Sequence, residues 1–182
     1  MWENYERLVK DVDVFCQQLK ERFSQQITCH LGCTGCCQQH LSLFPIEAAL
    51  VKKTVQEVSK EIKQRVVQNA RQFFQENNTT ETCPLLLDGQ CSIYSYRPII
   101  CRTHGYPISF QEKPQEVYLD VCPLNFSQEG EFELLQLKDS IPLERLNLRL
   151  AAINYTYCKE LNRLEIAGER QSIASIILNT DS

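Results

Sequence analysis

The chain has 182 residues, 43% of them hydrophobic and 23% charged, with a formal net charge of −4. That length suits a single domain with a sizeable core, and that balance excludes wholesale disorder. Mild acidity without a basic stripe argues against nucleic acid as a partner, and no run reaches the roughly 20 apolar residues that a membrane helix needs.

The opening "MWENYERLVKDVD" carries charge throughout, so no signal peptide is expected and the cytoplasm is the expected location. Residues 1–28 read as one amphipathic helix, because Trp2, Tyr5, Leu8, Val12, Phe15, Leu19, Phe23 and Ile27 recur at helical spacing. A second, longer helix should begin at Pro45, a favoured first-turn residue. It carries Ile46, Leu50, Val55, Val58, Ile62, Val66, Ala70 and Phe73 on one face and should fray at "ENNTTET". "CPLLLDGQCSIY" centres on Asp88-Gly89, a strong hairpin signal, and "YPISF" with "EVYLDVC" suggests a second hairpin through "QEKPQ". Between them, Pro98 can open a single helical turn that Gly105 closes. A third long helix starts near "SIPLERLN", with Leu143, Leu146, Leu150, Ile153, Tyr157, Leu161 and Leu164 on its face and Gly168 as its stop. "SIASIIL" from Ser172 reads as a short last helix. The expected fold is therefore α+β, mainly α. Three long amphipathic helices surround a cysteine-rich irregular centre with one or two short β-hairpins. Residues 1–182 form a single domain, with a metal-binding core at 29–125 and helical flanks at 1–28 and 140–180.

Ten cysteines are the anomaly of this composition. In a reducing compartment such a pattern points to metal or redox chemistry rather than to disulfides. Eight of them, Cys29, Cys33, Cys36, Cys37, Cys83, Cys91, Cys101 and Cys122, fall in the stretch from residue 29 to residue 122. Zinc and iron–sulfur iron both take about four thiolates converging on one point. The C-x2-C turn Cys33–Cys36 brings two sulfurs to one side of a tight loop, with Gly32 and Gly35 placed to ease it. Eight thiols match two four-coordinate sites, or one cluster with spare thiols. Neighbouring Cys36 and Cys37 are not expected to point the same way, so that one ligates while the other packs or reacts. A two-residue loop in the first hairpin would pair Cys91 with Leu86 and turn Cys83 and Cys91 to opposite faces, whereas a three-residue loop would put them on one face. Arg97 and Arg102 flank Cys101. A guanidinium beside a tetrathiolate lowers its electrostatic cost, and Arg102, next to a proposed ligand, is the stronger candidate. His104, three residues after Cys101, is at ligand spacing but reads better as a second-layer or surface group, and His30 and His40 are weaker. Cys16 and Cys158 lie inside helices and read as core.

The string "CHLGCTGCC" followed by "CPLLLDGQCSIYSYRPIICR" resembles the CxxCxxCC cysteine-cluster family, the YkgJ-like zinc- or iron-chelating domain. The resemblance spans about residues 29–125 and is most specific in G-x-C-x-I-Y-x-x-R-P-x-x-C-R. Its first cysteine interval is x3, where the family name has x2, so Cys29 departs from the pattern. It implies a small intracellular protein that binds metal, either Zn(2+) or an iron–sulfur cluster. A flagellin lysine N-methylase is similar in its cysteine cluster. Beside the chelating reading stand two others: an iron–sulfur enzyme with His104 as acid or base, and a zinc-stabilised module that recognises a protein through a helix face.

Overall fold

The computed structural model describes residues 2–30, 32–74, 82–113 and 115–181. Those residues form six α-helices and three small sheets, the α+β, mainly α architecture expected from the sequence. In chain order they are α1 (Glu3–Arg22), β1 (Ser42–Leu43), α2 (Pro45–Glu57), α3 (Lys60–Gln72), β2 (Leu86–Leu87), β3 (Gln90–Cys91) and α4 (Ile99–Thr103). They continue as β4 (Ile108–Lys113), β5 (Glu116–Asp120), β6 (Ile141–Pro142), α5 (Leu143–Glu160), β7 (Gln171–Ser172) and α6 (Ile173–Leu178). The chain divides into two compact units, the first from residues 1–30 and 99–153, the second from residues 31–98 and 154–182.

In the first unit, α1 buries the expected stripe of Tyr5, Leu8, Val12, Cys16 and Leu19. The helix ends at Arg22 rather than near residue 28. Phe23 and Ile27 stay buried because the turn that follows keeps helical spacing, Ile27 N–H donating to the Phe23 carbonyl at 2.9 Å. Phe23 meets Phe126 edge to face with ring centres 5.2 Å apart. β4 and β5 form the second expected hairpin, from Ile108↔Asp120 to Lys113↔Glu116, with a register shift after Gln111. The parallel pairing of β6 on β4 carries no local signal, since two residues give no period. Pro98 and Gly105 bracket α4 as expected, with Gly105 at φ 96.

In the second unit, the expected long helix is two helices. Val58 turns extended at ψ 164, and the Ser59 hydroxyl accepts from Ile62 N–H to cap α3. A side-chain cap overrides a hydrophobic period that runs straight through it. The fraying expected at "ENNTTET" falls on residues 76–82, of which all but Thr82 lie outside the described residues. Val51, Val55, Val66 and Ala70 pack with Leu43, Leu85, Ile93 and the α6 residues Ile173, Ala174, Ile176 and Ile177. Cys83 and Cys91 rest, half-buried, against this core.

α5 stops at Glu160, short of Gly168. Asn162 takes a left-handed φ of 54 and donates to the Lys159 carbonyl, while Arg163 N–H reaches the Cys158 carbonyl. This is a Schellman stop in which asparagine does the work of glycine. Leu161 and Leu164, assigned to the buried face from the sequence, are exposed beyond that stop. Asn154 is fully buried: its Oδ1 accepts from Ile46 N–H in the first turn of α2, and its Nδ2 donates to the Ala167 carbonyl at 2.8 Å. Ser172 caps α6, which begins where the sequence places it.

Candidate metal centre

The eight candidate thiols divide between the units. Cys33, Cys36, Cys37, Cys83 and Cys91 belong to the second, and Cys29, Cys101 and Cys122 to the first. All eight are half-buried and none is in a disulfide; Cys16 and Cys158 are buried.

The second unit builds its group from two short, sharply turned segments. Gly35–Cys37 is one turn of 3-10 helix, closed by Cys37 N–H to the Thr34 carbonyl at 2.8 Å. Gly32, at φ 94, supplies the left-handed step that leads into it. The β2–β3 hairpin has the two-residue loop, Asp88 and Gly89 both at positive φ, and the pairing Leu86↔Cys91. Its ladder ends before Cys83, however. Leu86 N–H bonds back to the Cys83 carbonyl at 3.0 Å, so Cys83 has left the strand and the alternation of faces does not apply to it. The segments are clasped together: Cys83 N–H donates to the Cys37 carbonyl at 2.7 Å, and beside it the Thr82 hydroxyl donates to Gln38 Oε1 at 2.8 Å.

Electrostatics reports which sulfurs sense each other. Cys36 and Cys37 share a side-chain hydrogen bond. That hydrogen bond is the chief reason the Cys36 thiol is held down to about 6, helped by a backbone hydrogen bond and by Arg97 against the opposing cost of burial. Cys37 is pushed far up by its donor role, by burial, and by the charges of Cys36, Cys83 and Cys91. Burial, then the Cys91 and Cys36 charges, push Cys83 up to about 11 despite a backbone hydrogen bond. Cys91 is raised chiefly by burial, with Arg97 opposing. Arg97, stacked 4.0 Å over the Tyr94 ring, is thus the cation that serves these thiols. Arg102 is not. It is 8% exposed, and its Nη1 reaches both Asp13 oxygens at 2.7 and 3.0 Å. The stacking of Arg97 three residues after Tyr94 was the available sequence signal.

In the first unit, Cys29 Sγ accepts a hydrogen bond from Asn125 Nδ2 at 3.3 Å, and Cys101 lies within α4. Cys122 begins a turn in which its carbonyl accepts from Asn125 N–H at 2.8 Å. Asn125 is absent from the candidates read from sequence, because a lone asparagine in "CPLNF" has no pattern to betray it. His104 is half-buried, and burial lowers its pKa, favouring neutral imidazole. His40 packs against Phe73, ring centres 4.3 Å apart and the planes tilted by 50°. Among the described residues, no three His, Cys, Asp or Glu side chains are already gathered closely enough to ligate one ion.

Both units present half-buried cysteine thiols, several of them on tight turns. The chain matches the family model CxxCxxCC, described as a putative zinc- or iron-chelating domain, over residues 28–123, and it belongs to that family. No curated protein and no solved structure matches it. Metal binding is the property the family carries. No helix among the described residues is long and apolar enough to cross a membrane.

Proposed function

We propose that this protein chelates zinc or an iron–sulfur cluster through cysteine thiolates, with Cys36, Cys37, Cys83 and Cys91 as its principal centre. The observation that carries this reading is the Cys83–Cys37 backbone bond, which clasps the turn bearing Cys36 and Cys37 to the segment that leads into the hairpin bearing Cys91; the raised Cys37, Cys83 and Cys91 thiols accord with it. Like charges at that range oppose one another, so without a counter-charge the group cannot ionise fully. A bound metal supplies the positive charge that makes all four thiolates stable together. Arg97 offsets part of the negative charge that a tetrathiolate centre retains. The apolar core beneath Cys83 and Cys91 limits water on that side. Binding then draws inward sulfurs that already sense one another but do not yet form a closed cage. Cys33 sits on the same loop as a further donor, and Cys29, Cys101 and Cys122, which belong to the first unit, are further candidate ligands. Ten thiols outside disulfides suit a reducing compartment such as the cytoplasm.

Anaerobic purification followed by analysis of zinc, iron and acid-labile sulfide, with an absorption spectrum, tests the reading. Colourless protein with stoichiometric zinc, or brown protein with iron and sulfide, supports it and names the metal. Wild-type protein that carries neither and takes up neither on reconstitution refutes it.

A further inference from the structure

Asn125 is 1% exposed, and every polar valence of its carboxamide is used. Oδ1 accepts from Thr28 N–H at 2.9 Å and from the Thr28 hydroxyl at 3.0 Å, while Nδ2 donates to the Gly105 carbonyl at 2.6 Å and to Cys29 Sγ at 3.3 Å. The orientation of the amide follows from its partners. A backbone N–H can only donate, so the oxygen must face Thr28. A carbonyl can only accept, so the nitrogen must face Gly105 and, with it, the Cys29 sulfur. That sulfur is therefore an acceptor, a role a thiolate fills far better than a thiol.

The same residue joins the three segments that carry the first unit's thiols. It bonds to Thr28, next to Cys29. It bonds to Gly105 at the end of the turn begun by α4, which carries Cys101. Its own N–H bonds to the Cys122 carbonyl. Gly105 leaves the sulfur its space: a Cβ there would stand 2.5 Å from Cys29 Sγ, at a φ of 96 that side chains rarely adopt. Lys20 Nζ holds the Cys29 carbonyl at 3.1 Å from the other side. Asn125 lies beyond the stretch of residues 28–123 that matches the family.

Building on the metal-binding reading above, we propose that Asn125 is a positioning residue whose Nδ2–H presents the Cys29 sulfur as a metal-ligating thiolate beside the segments bearing Cys101 and Cys122. Hydrogen bonds to ligating sulfurs tune and orient them, and losing such a partner costs about 10–100-fold in metal affinity. The irregular x3 interval that sets Cys29 apart in the sequence is then compatible with ligation, because its sulfur is aimed from outside the cysteine string.

The experiment titrates cobalt(II) into reduced, metal-stripped full-length protein and reads the sulfur-to-cobalt charge-transfer absorption, which grows with the number of bound thiolates. Asn125→Asp keeps the acceptor for Thr28 but turns an oxygen toward the sulfur. It is expected to lose the same share of absorption as Cys29→Ser, with binding weakened about 10–100-fold. Combining the two substitutions should remove no further absorption, and Thr28→Val, which deletes only the hydroxyl, should keep the wild-type spectrum. A folded Asn125→Asp protein with the wild-type spectrum overturns the proposal, as does a wild-type spectrum from Cys29→Ser. Should Asn125→Asp not fold, alkylation of the wild type with and without zinc, mapped by mass spectrometry, decides. Protection of Cys29 by zinc supports the proposal, and an unchanged rate overturns it. A wild-type protein that takes up no cobalt, and assembles no cluster on reconstitution with iron and sulfide, defeats the underlying metal-binding reading instead.

Discussion

Cys36 and Cys29 depend on different kinds of neighbour. Cys36 sits among thiols and a guanidinium, and its ionisation is governed by the hydrogen bond with Cys37, by burial, by a backbone hydrogen bond and by Arg97. Cys29 sits against a neutral, buried carboxamide that fixes where its sulfur faces. The second unit joins its two cysteine-bearing turns by a backbone clasp, whereas in the first one fully satisfied side chain bonds to segments adjoining its cysteines. The comparison teaches that an electrostatic group and a hydrogen-bonded group should fail differently: the first through loss of counter-charge, the second through loss of geometry.

The largest expected effect separates the units outright. Cys83→Ser with Cys91→Ser should abolish metal at the second unit's centre while zinc still protects Cys29 from alkylation; loss of protection in both units would erase the distinction. In the wild type, free zinc at 100 times its dissociation constant should raise stability by about 2.7 kcal/mol, read as a rise in melting temperature.

Next comes the charge itself. In metal-free protein Cys36, held to about 6, is mostly thiolate at neutral pH. Its depressed value favours the folded state fully above the ordinary thiol range near 9, and that contribution fades as pH falls through about 6. Cys37→Ala removes the principal donor and should slow iodoacetamide alkylation of Cys36 at neutral pH by roughly tenfold or more. An unchanged rate would mean that the vicinal pair does not act as a unit.

Smaller effects test the scaffolds. Asn154→Ala leaves Ile46 N–H and the Ala167 carbonyl without their partner and should cost about 1–3 kcal/mol for each in urea denaturation. Asp13→Ala removes a carboxylate partner of buried Arg102 and should cost about 1–3 kcal/mol with metal content unchanged. A fall in metal content would return Arg102 to the thiols. Ser59→Ala, at an exposed cap, should cost about 0.5–2 kcal/mol.

Signals that repeat were legible in the sequence. Hydrophobic period located α1, α2, α5 and α6, and Asp88-Gly89 located the first hairpin, because many residues vote for one element. Single-residue decisions were not. Ser59 breaks a helix whose apolar face runs past it, Asn162 ends another before the glycine that seemed to, and Cys83 leaves its ladder through one backbone bond. For the site, cysteine spacing named the candidate thiols, but their partition depends on contacts between distant segments. The choice between Arg97 and Arg102 depended on which carboxylate or ring each meets. Buried asparagines such as Asn125 and Asn154 leave no period at all.

The clasp between the Cys83 amide and the Cys37 carbonyl has a consequence for biosynthesis. It joins the ends of a long excursion through α2 and α3, and closing such a loop costs chain entropy that only the folded helices can return. A nascent chain that has just emerged through "CTGCC" therefore holds a sequence motif without a receptor. On the proposed ligation, the four thiols of the second unit come together only after translation has passed Cys91 and the intervening helices have docked.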